Sequence, residues 1–276
     1  MANGTSADYF ADAPLNTLTY ERWKPDALPA TWTYTHSRKA QCDYCCIAAH
    51  TLGTSRTSIS VEYYDGLAWQ TLIASTEIRS DAPIFCIFGA VTATQWRISL
   101  SGTTLPEVGV VRFGAALQMQ RPIYGGHAPI TLARQTVLRS NKSETGEYLG
   151  RTKVRTYGQT TFSWRNLSEY WVRAWWPDMQ RAIETEPFWI AWRPELAPGV
   201  THGSPDWVIH DYTWTNEGRY WRNTEFWLNS GSSTPETVAK NGDVGFCQVD
   251  QTPIPVNMGV RDLMSVEMTV RARGYD

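Results

Sequence analysis

Thr57–Ile73 reads TSISVEYYDGLAWQTLI. Ile59, Val61 and Tyr63 alternate with Ser58, Ser60 and Glu62, the period-two pattern of a strand with one buried face. Asp65-Gly66 interrupts it as a tight turn, because glycine tolerates positive φ. A second run carrying Trp69 follows. The stretch is a β-hairpin, and its neighbours read the same way. Upstream, strand pattern begins at ATWTYTHS (30–37) and runs into QCDYCCIAAH (41–50). Downstream come PIFCIF (83–88), QWRISLSG (95–102) and VGVVRFG (108–114). In QWRISLSG, Trp96, Ile98 and Leu100 face one way, Arg97 and Ser99 the other. Short strands with turn residues between them and no helical period predict an antiparallel β-sandwich. Residues 1–30 show no sustained period and read as an irregular arm.

Met119–Pro129, MQRPIYGGHAP, breaks the pattern with two prolines and a glycine pair, and predicts a boundary between domains 1–128 and 129–276. In the second part, SNKSETGEYLG (140–150) reads as an exposed hairpin tip. Thr160, Phe162 and Trp164 then alternate with Thr161, Ser163 and Arg165. LSEYWVRAWWPDMQRAIETEP (167–187) is the one helical region. Ser168 is its expected cap, and Glu169 lies near the positive helix end. Pro177 predicts a break there, with a second helix starting after Trp176 and an apolar stripe of Met179, Ala182 and Ile183. Strands resume at PFWIAWRP, DWVIHDYTWT, RYWRNTEFWL and LMSVEMTVRAR. In the last, Met264, Val266, Met268 and Val270 share a face.

Charge is balanced, with 25 basic and 27 acidic residues. Neither half is basic overall, which argues against a nucleic-acid partner held through phosphates. No apolar run is long enough to span a membrane. The N-terminus lacks a basic segment followed by an apolar one, so synthesis in a reducing cytoplasm with free thiols is expected. Of the 14 Trp, ten follow residue 128. Most belong in cores, but such a surplus also suits a permanent assembly interface.

QCDYCCIAAH carries Cys42, Cys45, Cys46 and His50. Structural zinc takes four ligands, commonly from two pairs, and no second pair follows Cys42–Cys45. On an extended strand Cys45 and Cys46 face opposite ways. The thiols therefore read as core filler. His50 precedes the loop TLGTS, either as a local hydrogen-bonding residue or as part of a pocket. His202, Asp206, His210 and Asp211 cluster in HGSPDWVIHD, but their spacing fits no metal motif. No nucleophile elbow, zinc helix or phosphate loop is present. No enzyme activity, cofactor or metal is expected.

The segments CCIAAHTLGTSRTSISVEYYDGLAWQTL, PIFCIFGAVTATQWRISLSG and PEVGVVRFGAALQMQRPIYGGHAP resemble sandwich domains of the discoidin or galactose-binding type. An AAH-LG strand and loop, a DG–W hairpin and a WRI strand recur in those. The whole chain resembles tail proteins of long-tailed, siphovirus-type phages and prophages. AAHTLGT, ALQMQRPIYGGHAP, GRTKVRTYG, FSWRNLSEYWVRAWW and PFWIAWRPE carry that likeness over most of residues 40–196; the region after Pro205 carries less. In that pattern Val-Gly is expected where this chain has Cys45-Cys46.

The resemblance implies a distal tail or baseplate protein of the virion, made in the bacterial host. It implies a mainly β chain of two sandwiches: an N-terminal jelly-roll, galactose-binding-like, and a C-terminal tail-tube-like domain with one helical segment. The latter would assemble into a homo-oligomeric ring, usually of six subunits, joining the tail tube to the baseplate hub. Trp171, Trp175, Trp176, Trp189, Trp192 and Tyr148 are the candidate subunit contacts. The alternative is a module that contacts host-surface glycans, with His50, Arg56, Asp65 and Trp69 as the candidate saccharide pocket. Neither reading involves nucleic-acid specificity or membrane insertion.

Overall fold

The computed structural model describes residues 2, 4–121, 123, 125–130, 132–191, 237–240 (backbone) and 244–273. The fold is mainly β. The chain divides into two compact units, residues 1–121 with 191–244 and residues 122–190 with 245–276.

In the first unit, β1 (Ala30–Ala48), β2 (Ser58–Tyr64), β3 (Trp69–Glu77), β4 (Ile84–Ser101) and β5 (Val110–Gly114) form a sheet in the order β3-β2-β4-β1-β5. All the pairings are antiparallel. The expected hairpin is β2–β3, with Gly66 at φ 107° in its turn. PIFCIF and QWRISLSG, read as separate runs, are instead the two ends of the single strand β4. Sequence pattern divides them because the middle of β4 is half-exposed. β1 and β4 stay paired over nearly their whole length, with irregularities at Thr35/Ala40 and Cys42/Tyr44. Such irregularities bend and twist long strands, and here the sheet curls around its own core. Trp32, Trp96, Ile98, Ile59 and Val61 from one part and Cys45, Ile47, Cys86 and Val111 from another are buried in one cluster. The arm also contributes to it. Trp23 is fully buried, pairs its backbone with Val108 and donates its indole N–H to Gly4 O.

A sixth strand, β9 (Thr237–Lys240), pairs antiparallel with Ile84–Ile87 of β4. A linear division at residue 128 does not contain this return. The strands expected at DWVIHDYTWT and RYWRNTEFWL, and Trp192, His202, Asp206, His210 and Asp211, lie outside the described residues.

In the second unit, β6 (Arg134–Lys142), β7 (Tyr148–Ser168), β8 (Phe188–Ala191), β10 (Val244–Val249) and β12 (Leu263–Arg273) take the order β6-β7-β12-β10-β8, and β11 (Val256–Asn257) pairs with β12. The predicted alternation holds. Phe162 and Trp164 on β7 and Val266, Met268 and Val270 on β12 are buried, while Met264 is only half-buried beside a bulge.

Helix α1 (Glu169–Thr185) starts at Ser168, whose hydroxyl accepts from Trp171 N–H at 3.2 Å. It does not break at Pro177. Val172, Trp176 and Ile183 are its buried residues, and they flank the proline on both sides. Packing along one continuous face outweighs the single hydrogen bond that proline removes, and Pro177 itself is exposed. Of the expected stripe Met179, Ala182 and Ile183, only Ile183 is buried and Ala182 is exposed.

Candidate functional site

The four saccharide candidates fall at two places. His50 and Arg56 lie in the loop between β1 and β2. Asp65 and Trp69 lie in the β2–β3 hairpin, at the other end of the seven-residue β2. That strand spans about 23 Å, so the four do not form one pocket.

His50 is buried, and its ring ties the loop down. Nε2 donates to Ala82 O at 2.9 Å and Nδ1 accepts from Leu52 N–H at 3.3 Å. The same loop is clipped by Asp81, which accepts from Gly53 N–H, Thr54 N–H and the Thr54 hydroxyl. A Cβ on Gly53 would meet the Ser80 carbonyl carbon at 2.3 Å, so this close approach requires glycine. Arg56 points outward, with its guanidinium 3.3 Å from Glu77. This end of the sandwich is built to hold loops together.

The hairpin end is different. Asp65 accepts from Leu67 N–H, Ala68 N–H and the Gln70 side-chain amide at 2.7–2.8 Å. Those bonds, from Ala68 first, hold its carboxyl below the usual range. Trp69 is half-buried, with the Tyr64 ring tilted against it at 5.4 Å. The Arg97 guanidinium lies 4.1 Å from the Trp69 ring centroid and is ion-paired to Glu62. The site is therefore a hairpin of two aromatic rings, a cation–carboxylate pair, a carboxylate and an amide. Sequence pattern singled out Asp65 and Trp69 but not Arg97 and Glu62, which meet only because β2 and β4 pair in register, Glu62 opposite Arg97.

The thiols are core residues, as read, with Cys45 and Cys46 on opposite sides of β1. The irregularity between Cys42 and Tyr44 resets the strand's alternation, so Cys42, Cys45 and Cys86 enter the same core, with Cys45 directly opposite Cys86. Among the described residues, no three His, Cys, Asp or Glu are arranged to hold a metal ion. Burial pushes the Cys42 thiol up to about 11 and raises Cys45 and Cys46 well above the ordinary value. Raised, buried thiols are poor nucleophiles.

Among the candidate subunit contacts, Trp176 is a core residue of its own unit. It is 2% exposed and donates to Pro253 O at 3.3 Å. Trp189 packs on Phe246, with centroids 4.7 Å apart. Trp171 is half-buried, and Trp175 and Tyr148 are exposed.

No family model and no curated protein matches the chain. Solved structures similar to it include a pectin-binding carbohydrate-binding module (16% identity, TM-score 0.38, 42% of this chain and 89% of that one). Another is the family 32 module of AlyQ in complex with 4,5-unsaturated mannuronic acid (19%, 0.35, 41% and 91%). A third is the family 32 module of C. perfringens NanJ in complex with galactose (10%, 0.37, 41% and 90%). Likeness at this level assigns no ligand to the present chain.

Proposed function

We propose that the chain is a ring-forming structural subunit of a phage tail tip, with no catalytic step of its own. One observation carries the assembly reading. β6 and the first part of β7 form a two-stranded ribbon exposed on both faces, and every residue of β6 is exposed. Val137, Leu138, Tyr148, Leu149 and Val154 on it are apolar or aromatic and uncovered. A ribbon of this kind is marginal alone, and an open strand edge invites pairing with another chain. Among the described residues the sheet ends in β6 on one side and β8 on the other. Joining one copy's β6 to the next copy's β8 is a head-to-tail contact, the type that closes rings. The tail-tip context, with tail tube and hub as neighbours, rests on the sequence resemblance; the solved structures named above are carbohydrate-binding modules. Light scattering and negative-stain microscopy of the full chain test the assembly. Rings of about six copies are expected, each contact burying on the order of 2,000 Å². A monomer at high concentration, or rings undisturbed by Leu138→Glu with Val154→Glu, would count against it.

A second reading concerns the first unit: contact with a host-surface saccharide at the β2–β3 hairpin. Its support is the grouping of Trp69, Tyr64, Asp65 and Gln70, aromatic surface beside polar hydrogen-bonding groups. A glycan array probed with the full chain and with Trp69→Ala decides it. Binding lost in the variant supports the reading, and silence across bacterial polysaccharides removes it.

A further inference from the structure

The balanced charge of the second half conceals a local concentration. Between Arg134 and Tyr157 the chain carries six cations, Arg134, Arg139, Lys142, Arg151, Lys153 and Arg155, against two carboxylates, Glu144 and Glu147. Both carboxylates belong to the segment joining β6 to β7. The register distributes the cations over both faces of the ribbon. Val137 stands opposite Arg155 and Arg139 opposite Thr152, which puts Arg139 and Arg155 on one face. Ser140 stands opposite Arg151 and Lys142 opposite Tyr148, which puts Arg151 and Lys142 on the other. Arg151 Nε donates to the Ser140 hydroxyl at 3.0 Å, as that register requires. At the ribbon's root, Arg155 and Arg271 of β12 both lie 5.5 Å from the Tyr157 ring centroid. Among the described residues, none of Arg139, Lys142, Arg151 and Arg155 is ion-paired to a carboxylate.

A flat acidic partner would engage one face of such a ribbon and leave the other unmatched. A groove with anionic walls engages both. The major groove of duplex nucleic acid has that form: it is about 12 Å wide, admits a two-stranded ribbon and is bounded by phosphates on each side. We infer that the β6–β7 ribbon is a sequence-independent binding element for duplex nucleic acid, gripping phosphates from both faces. The inference stands on the ribbon alone and competes with the ring for it: a β6 edge paired with the next copy's β8 cannot enter a groove, so duplex binding belongs to copies whose β6 edge is free.

The test is fluorescence anisotropy of a labelled mixed-sequence 24-base-pair duplex with the full-length protein. Binding is expected in low salt. Its affinity should fall roughly 100-fold from 50 to 200 mM salt if about four phosphates are neutralised. Two variants separate the faces: Arg139→Gln with Arg155→Gln, and Lys142→Gln with Arg151→Gln. Each pair should weaken binding at least tenfold at 50 mM salt and reduce the salt slope by about 0.9 per lost phosphate contact. Circular dichroism and solution mass must match the parent, so that unfolding or a change of assembly is not read as a change in binding. Three results would overturn the inference: no binding at 50 mM salt, weakening by only one of the two pairs, or displacement of the duplex by polygalacturonate at a lower charge concentration than unlabelled duplex needs. If a pair fails to fold, its two single substitutions make the same comparison at half the effect.

Discussion

Cys45 and Cys86 are direct partners across the β1–β4 ladder, and neither has any exposed surface. Their burial has a consequence for pH. An unfolded thiol ionises near its ordinary value, about 9, while burial holds Cys42, Cys45 and Cys46 above it. Between those values the unfolded state binds fewer protons than the folded one, so stability falls as pH rises. The thiol contribution is complete below about pH 9 and declines through about 11, where Cys42 titrates. Thermal melts should show a falling Tm over that window, and Cys42→Ala with Cys45→Ala should flatten it. A thiol reagent at pH 8 should find no reactive group in the native protein and all five after denaturation.

His50→Ala should destabilise the first unit by about 2 kcal/mol. It strands the Ala82 carbonyl and the Leu52 amide, two groups that the ring now satisfies. Denaturant titration measures this. If His50 contributed to ligand contact alone, the midpoint would not move.

Trp175 and Trp176 are neighbours with opposite roles. Trp176→Ala should cost about 3–5 kcal/mol, as expected for emptying a core position. Trp175→Ala, on the exposed side, should change stability by less than about 0.5 kcal/mol. If Trp175 lies at a subunit contact, the same variant should shift the solution mass downward. Melting and light scattering on both variants separate folding from assembly.

The arm is held by Glu107. Its carboxylate accepts from the Tyr9 hydroxyl at 2.8 Å and from Arg22 at 2.9 Å, with Lys24 nearby. Burial works to raise its pKa, but those bonds and the charges of Arg22 and Lys24 outweigh it and leave the pKa lowered. The clamp is therefore fully present above the ordinary carboxylate value, about 4.5, and is lost as pH falls through the lower folded value. Limited proteolysis should cut within residues 1–30 faster at pH 3 than at pH 6, and Glu107→Gln should remove most of that difference.

The legible part of this fold was the part written locally. Ile59 and Val61, Trp96 to Leu100, Phe162 and Trp164, and Val266 to Val270 all declare their buried face by alternation, and each is buried as read. Ser168 declared the start of α1 in the same way. What stayed hidden depends on register between distant strands. The irregularity after Cys42 brings it into the same core as Cys45 and Cys86, and Arg97 reaches Trp69 only through β2–β4 pairing. Pro177 misled because its local cost is real but smaller than the packing on either side of it. The ribbon's charge escaped notice because counting over a whole half averages it away.

The pairing of β9 with β4 sets an order of events during synthesis. Residues 84–87 leave the ribosome long before residues 237–240, their partners in the same sheet. The first unit therefore cannot complete its sheet until the ribbon, α1 and β8 of the second have already emerged. Early in translation the start of β4 lacks that neighbour. A nascent chain halted near residue 130 should be more open to proteases at Ile84–Ile87 than the finished protein.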